Sequence, residues 1–145
     1  MKIYLASSWR NPHQPMILHL LRQAGHEVYD FRNPAPGNTG FAWSDIHPQW
    51  IAWDAGQFCA ALKHPLADEG FALDWNAMVA ADACVLLLPC GRSAHLEAGY
   101  FVGAKKKLVI LLMDKNEPEL MYKMADLICY DVITMLQALE SPPAT

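Results

Sequence analysis

No CxxC pair occurs in this chain: Cys59, Cys84, Cys90 and Cys129 are scattered and sit mainly within apolar stretches. That excludes a disulfide framework and a cysteine zinc site, and predicts reduced thiols in the core. Basic charge is also scarce. Against 15 Asp+Glu there are 11 Lys+Arg, giving a formal net charge of −4, and the one basic run is Lys105–Lys107. No electrostatic draw for a nucleic acid polymer exists, and the three lysines are expected at a solvated helix end. Long apolar runs are missing too. The N-terminal MKIYLASSWR is too weakly basic and too short in apolar residues for a signal peptide, and no segment approaches a membrane span. A cytoplasmic protein with no membrane partner is expected. Neither an internal repeat nor a low-complexity segment is found.

What is present is apolar material, 53% of 145 residues with 18% charged, sufficient for one globular domain with a sizeable core. Residues 2–6, KIYLA, read as a first strand followed by the polar loop SSWRNP. Pro12 suits the first turn of a helix that buries Met16, Ile17, Leu20 and Leu21, and Gly25 stops it. HEVYDF is a second strand, and a strand–helix–strand opening implies a right-handed crossover and a parallel sheet.

Residues 32–48 lose all periodicity: Pro34, Pro36, Pro48, Gly37 and Gly40 surround Phe41 and Trp43. A connection of that length suits a lid or binding loop, or an aromatic segment packed on a neighbouring subunit. Trp50, Trp53, Phe58 and Leu62 then follow an approximately helical spacing that suits core or interface packing. A helix is expected from Leu66 to Ala81, with a stripe of Phe71, Trp75, Met78 and Val79 and with Asp74 beside it. ACVLLLP is uninterruptedly apolar, as a central strand covered on both faces should be.

A helix from about Ala94 to Ala104, the strand KLVILL, a helix around Pro118–Ala125, the short strand LICY and a helix Val132–Leu139 complete the pattern. The expectation is an α/β fold: a single doubly wound domain over residues 1–140 with a five-stranded, mostly parallel, Rossmann- or flavodoxin-like sheet, and a frayed tail at 141–145.

Familiar motifs fail at the loop after the central strand. Gly99–Gly103 lacks GxGxxG, and CGRS lacks the lysine of a P-loop. Gly91, Arg92 and Ser93 fit the start of a nucleophile elbow, but His95 stands where glycine is needed. Cys90 begins a CxxxxxR phosphatase loop whose arginine position is Leu96. His95 and Glu97 would point apart on either a strand or a helix, and His13, His19, His26, His47 and His64 show no ligand spacing. No metal and no cofactor is expected. Two carboxylates remain, Asp74 and Glu97. Glu97 is either a first-turn helix residue facing the backbone dipole or a reactive group at the carboxyl edge of a parallel sheet. A retaining glycosidase uses one ionised carboxylate as nucleophile and a second acid for the leaving group.

Three pieces, IYLASSWR at Ile3–Arg10, DWNAMVAAD at Asp74–Asp82 and HLEAGYFVGAKK at His95–Lys106, occur in an order and spacing that resembles the nucleoside 2-deoxyribosyltransferase family, including its 2′-deoxynucleoside 5′-monophosphate N-glycosidase branch. The resemblance implies an enzyme that cleaves the N-glycosidic bond of a nucleoside or nucleoside 5′-monophosphate, with transfer to a base or to water. It implies Glu97 as the nucleophile, Tyr4 at the strand end as its orienting partner, Asp74 as the group at the leaving base, and Asp82 as structural. Ser8 and Arg10, with Trp9 between them, match the residues around a 5′-phosphate in the monophosphate branch. Gly91, Arg92 and Ser93 add donors at the second loop, while Phe41 and Trp43 offer aromatic faces to a base. A neighbouring subunit would contribute Tyr122 or Lys123, making a homodimer or larger homo-oligomer the expected state. A nucleotide-binding module without turnover, a sensor or regulatory subunit, is the competing reading.

Overall fold

The computed structural model describes residues 1–141; residues 142–145, most of the expected tail, lie outside the described residues. The chain divides into two compact units, Met1–Asp30 with Ala80–Thr145, and Phe31–Val79.

The first unit holds a five-stranded sheet ordered β2-β1-β3-β4-β5, and each neighbouring pair is parallel. Its strands are β1 (Lys2–Ala6), β2 (Glu27–Tyr29), β3 (Ala83–Leu88), β4 (Lys107–Leu112) and β5 (Leu127–Cys129). All six residues of β3 are buried, the mark of a central strand covered on both faces. On one face Ile3, Leu5, Val85, Leu87, Val109 and Leu111 form a core with Ile17, Leu18 and Leu21 of α1 (Gln14–Gln23) and with Met135 and Leu139 of α5 (Val132–Glu140). Alternation sends Tyr4, Cys84 and Ile110 to the other face. There α4 (Arg92–Gly103) packs across β1, β3 and β4, and Phe101 lies 5.9 Å from the ring of Tyr4. Helices on both faces of a parallel sheet make the fold doubly wound.

Polar groups close the ends of these elements. Asp82 accepts the Lys2 backbone N–H at 2.7 Å while its own N–H donates to the Lys2 carbonyl at 2.9 Å, aligning β1 with β3 at their starts. The basic run differs from a solvated helix end. Lys105 is exposed, but Lys106 donates to the Ala81 carbonyl at 2.7 Å, and Lys107 is buried with its ammonium on the carbonyls of Ala138 and Ser141. Carbonyls left without partners at the end of α5 attract the cation.

The second unit contains α2 (Ala55–Ala61) and α3 (Pro65–Ala80). Trp50 to Leu62 is not one continuous helix: a 3-10 turn covers Trp50–Ala52, and Asp54 then starts α2 with a capping box to Gln57. Within 32–48, Phe41 meets Trp43 edge-on at 4.8 Å, and Trp43 in turn meets Trp53 and Phe58. Gly70 of α3 admits Phe41 closely; a Cβ there would lie 2.9 Å from that ring's Cβ. The α3 stripe is mostly outward-facing: Met78 is buried, whereas Phe71 is 65% exposed and stacks on Trp75. Among the described residues no helix is long and apolar enough to cross a membrane.

Candidate active site

In a sheet ordered 2-1-3-4-5 the connections reverse direction between β1 and β3, and ligands bind outside the carboxyl ends of those two strands. Both loops that leave this edge are built from polar residues fastened to each other. Ser7 Oγ donates to the Leu87 carbonyl at 3.0 Å. Asn11, 1% exposed, donates through Nδ2 to the carbonyls of Leu87 at 3.3 Å and Pro89 at 3.1 Å, and its Oδ1 accepts the His13 N–H at 2.8 Å. Ser8 Oγ accepts the Arg10 N–H at 3.2 Å. The loop after β1 is thereby held against the loop after β3.

The β3 loop passes through a cis Leu88–Pro89 bond and Cys90 to Gly91, which caps α4 without a side chain. Gly91, Arg92 and Ser93 are exposed at this start, as are Trp9 and Arg10 on the neighbouring loop. Glu97, half-buried, lies five residues after Arg92 and so beyond the first turn, which contains no acidic residue. A first-turn dipole role therefore does not explain it, because that effect fades after one turn. Its charge does reach two thiols. Burial and then the Glu97 carboxylate push Cys84 far up, and the same causes push Cys90 up to about 12. Cys90 is thus a protonated thiol at neutral pH, which disfavours it as a nucleophile. Tyr4 is in the middle of β1 rather than at its end, 1% exposed, with its ring stacked on Tyr29 at 5.4 Å.

His95 completes this region. Its Nδ1 lies 2.7 Å from the Gly91 carbonyl and its Nε2 lies 2.8 Å from the Tyr122 hydroxyl, with the two rings stacked at 5.8 Å. A carbonyl only accepts, so Nδ1 carries the proton; in the neutral ring Nε2 then accepts from Tyr122 O–H. Cys90 Sγ sits 3.7 Å from Nδ1. Tyr122 itself is pushed up by burial, then by Cys90 and Glu119, so its hydroxyl keeps its proton.

Comparison with solved structures follows the same geometry. A 2-deoxyribosyltransferase from Bacillus psychrosaccharolyticus superposes with a TM-score of 0.68 at 18% identity, covering 100% of both chains. The chain has the 2-deoxyribosyltransferase fold. A conserved protein from Enterococcus faecalis gives a TM-score of 0.61 at 15% identity over 97% of each chain. A CMP N-glycosidase from Clostridium botulinum gives 0.50 at 18% identity, covering 97% of this chain and 100% of the other. No protein-family model and no curated protein matches by sequence.

Within this 2-deoxyribosyltransferase fold, Tyr4, Ser8, Trp9, Arg10, Gly91, Arg92, Ser93 and Glu97 all belong to the first unit. Asp74, half-buried on α3, and the packed pair Phe41 and Trp43 belong to the second. Tyr122, expected to serve a neighbouring subunit, engages His95 of its own chain, and Lys123 beside it is exposed. Sequence reasoning missed the structural amide of Asn11 and the His95–Tyr122 pair. For Asn11 a signal existed, an amide just before Pro12 and the N-cap His13 of α1; for residues 27 positions apart there was none. Among the described residues no cluster of His, Cys, Asp and Glu is arranged to hold a metal ion.

Proposed function

We propose that the chain cleaves the N-glycosidic bond of a nucleoside or nucleoside 5′-monophosphate through a covalent glycosyl-enzyme on Glu97. What supports this reading is that Glu97 lies on α4, the helix that follows β3 and packs across β1, β3 and β4, and that its carboxylate, after burial, helps push the thiols of Cys84 and Cys90 up. No capping or first-turn role accounts for a carboxylate there. In the fold it shares with a deoxyribosyltransferase and a CMP N-glycosidase, the group suits attack on an anomeric carbon.

In the proposed reaction the Glu97 carboxylate attacks the anomeric carbon as the bond to the base breaks, and Asp74 supplies the proton or hydrogen bond that the departing base requires. Tyr4 orients Glu97 from the same sheet face. Ser8, Arg10, Arg92 and Ser93 are the proposed donors to a 5′-phosphate, and Phe41 and Trp43 the proposed aromatic faces toward the base. A second base or water then releases the sugar. A homo-oligomer remains part of the proposal, with Tyr122 or Lys123 contributed to a neighbour's site.

The test is a panel of nucleosides and 5′-monophosphates, with and without an acceptor base, followed by chromatography of released base. Base release by the wild type and its loss by a factor on the order of 10⁴ in Glu97→Gln, with an unchanged melting transition, are expected. Nucleotide binding by calorimetry with no base released over hours would instead leave a binding module.

A further inference from the structure

We propose that Asn11 is a positioning residue that makes the candidate site select a nucleoside 5′-monophosphate over the free nucleoside, a role that rests on the reading of Ser8, Arg10, Arg92 and Ser93 as phosphate donors. Its amide joins the two loops on which those donors stand. The orientation of that amide is forced. Carbonyls only accept, so Nδ2 faces Leu87 at 3.3 Å and Pro89 at 3.1 Å; a backbone N–H only donates, so Oδ1 faces that of His13 at 2.8 Å. At 1% exposure the amide is shielded from solvent, where such bonds are strongest. Ser7 Oγ also reaches the Leu87 carbonyl, at the end of β3, but Asn11 continues to Pro89 on the loop itself.

The donors follow closely along the chain from these contacts. The Asn11 N–H closes a turn onto the Ser8 carbonyl at 3.0 Å, which places Trp9 and Arg10 at the tip, and Ser8 Oγ holds the Arg10 N–H at 3.2 Å. On the other loop Pro89 leads through Cys90 to Gly91, Arg92 and Ser93, where α4 starts. One side chain therefore sets the offset between the turn that bears Arg10 and the helix start that bears Arg92. Both arginines are exposed, and among the described residues neither guanidinium is in an ion pair. A phosphate held by both needs them at a fixed separation, whereas an uncharged 5′-hydroxyl gains far less from it. Other ties of the same segment lead away from the β3 loop. His13 Nε2 meets Asp114 beyond β4 at 2.8 Å, and Gln14 Nε2 donates to Asp30 beyond β2 at 2.9 Å.

The experiment compares wild type with Asn11→Ala, Asn11→Ser and His13→Ala on matched pairs of deoxynucleoside and deoxynucleoside 5′-monophosphate. Serine keeps an acceptor for the His13 N–H, and with it the local turn, but is too short to reach both carbonyls, so it remains folded even where the alanine variant does not. Steady-state base release gives KM and kcat, and calorimetry in the Glu97→Gln background gives affinity without turnover. Each Asn11 variant should raise the KM and Kd of the monophosphate by a factor on the order of 10 to 10², with its kcat and both nucleoside constants within about threefold of wild type. With Arg10 and Arg92 both already replaced by Ala, Asn11→Ser should weaken the monophosphate less than about threefold, because the amide acts through those two groups. His13→Ala should leave the ratio of monophosphate to nucleoside affinity unchanged. An unmoved monophosphate affinity, an equal loss for the nucleoside, additivity with the arginine variants, or the same shift in His13→Ala would each overturn the positioning role. Equal affinity of the wild type for the two ligands overturns the phosphate reading and the role of Asn11 with it. A wild type that binds but releases no base overturns the glycosidase reading alone, and the calorimetric comparison still decides Asn11.

Discussion

The two faces of the sheet are covered by helices built from different materials. Toward α1 and α5 the strands present Ile3, Leu5, Val85, Leu87, Val109 and Leu111, and the helices answer with Ile17, Leu21, Met135 and Leu139. Toward α4 they present Tyr4, Cys84, Leu86 and Ile110, and the helix answers with Ala94, Ala98 and Phe101, all buried, on the same helix as His95 and Glu97. One face interlocks large branched side chains, where stability scales with buried area. On the other, the helix that bears Glu97 is small at two of its buried positions, Ala94 and Ala98, and places Phe101 against Tyr4.

Truncating the large residues should give the largest stability effect. Leu111→Ala, at a fully buried position of the α1/α5 face, is expected to cost about 2 to 5 kcal/mol, read from urea unfolding. A loss below about 1 kcal/mol would show a face able to collapse around the cavity. The opposite substitution probes the opposite face. Ala98→Leu, at a position 4% exposed on α4, should cost about 1 to 3 kcal/mol by overpacking and should also displace Glu97, lowering base release. Full activity in that variant would mean the small contact is not what places the carboxylate.

The smallest effect concerns the cap of α5. Asp131 accepts the Thr134 N–H at 2.7 Å and the Thr134 hydroxyl at 2.8 Å, and these bonds hold its carboxyl below the ordinary range. A carboxyl lowered in the folded state stabilises it above the unfolded pKa of about 4, and that contribution is lost as pH falls through the folded value. The difference in urea midpoint between wild type and Asp131→Ala should hold constant above about pH 5 and shrink below about pH 4. A difference undiminished in acid would assign the effect to something other than the carboxylate.

Much of the α4 face and nearly all of the α1/α5 face could be read from sequence, for a physical reason. KLVILL is β4 residue for residue, and KIYLA is β1, because continuous apolar runs bounded by charge or Gly and Pro have few other solutions. ACVLLL likewise became β3. The parallel arrangement follows from strands alternating with helices. Short or capped elements were harder. Pro118–Ala125 was expected as a helix and is a 3-10 turn over Leu120–Met124, where Glu119 caps the start. The helix after Cys90 begins at Arg92 rather than Ala94, since polar residues in a first turn carry no apolar period.

At the candidate site, Glu97 stands out in the sequence because a carboxylate between apolar neighbours demands an explanation. The fastening of the two loops does not, because Asn11 meets Leu87 and Pro89 across more than 70 positions. His95 had been weighed as a metal ligand from its spacing to Glu97. Its actual partners are a carbonyl four residues back and a phenol on a distant 3-10 turn. Hydrogen bonds between remote segments leave no periodic trace in a sequence.

The amide of Asn11 also bears on how the molecule ages. Deamidation proceeds when the backbone nitrogen of the following residue attacks the side-chain carbonyl, and that nitrogen must lose a hydrogen. The following residue is Pro12, whose ring nitrogen has none. Both loops at the carboxyl edge of the sheet therefore hang on a side chain that is chemically protected by its neighbour. Were it converted to aspartate, two backbone carbonyls would face a carboxylate instead of an N–H donor, and the edge would open.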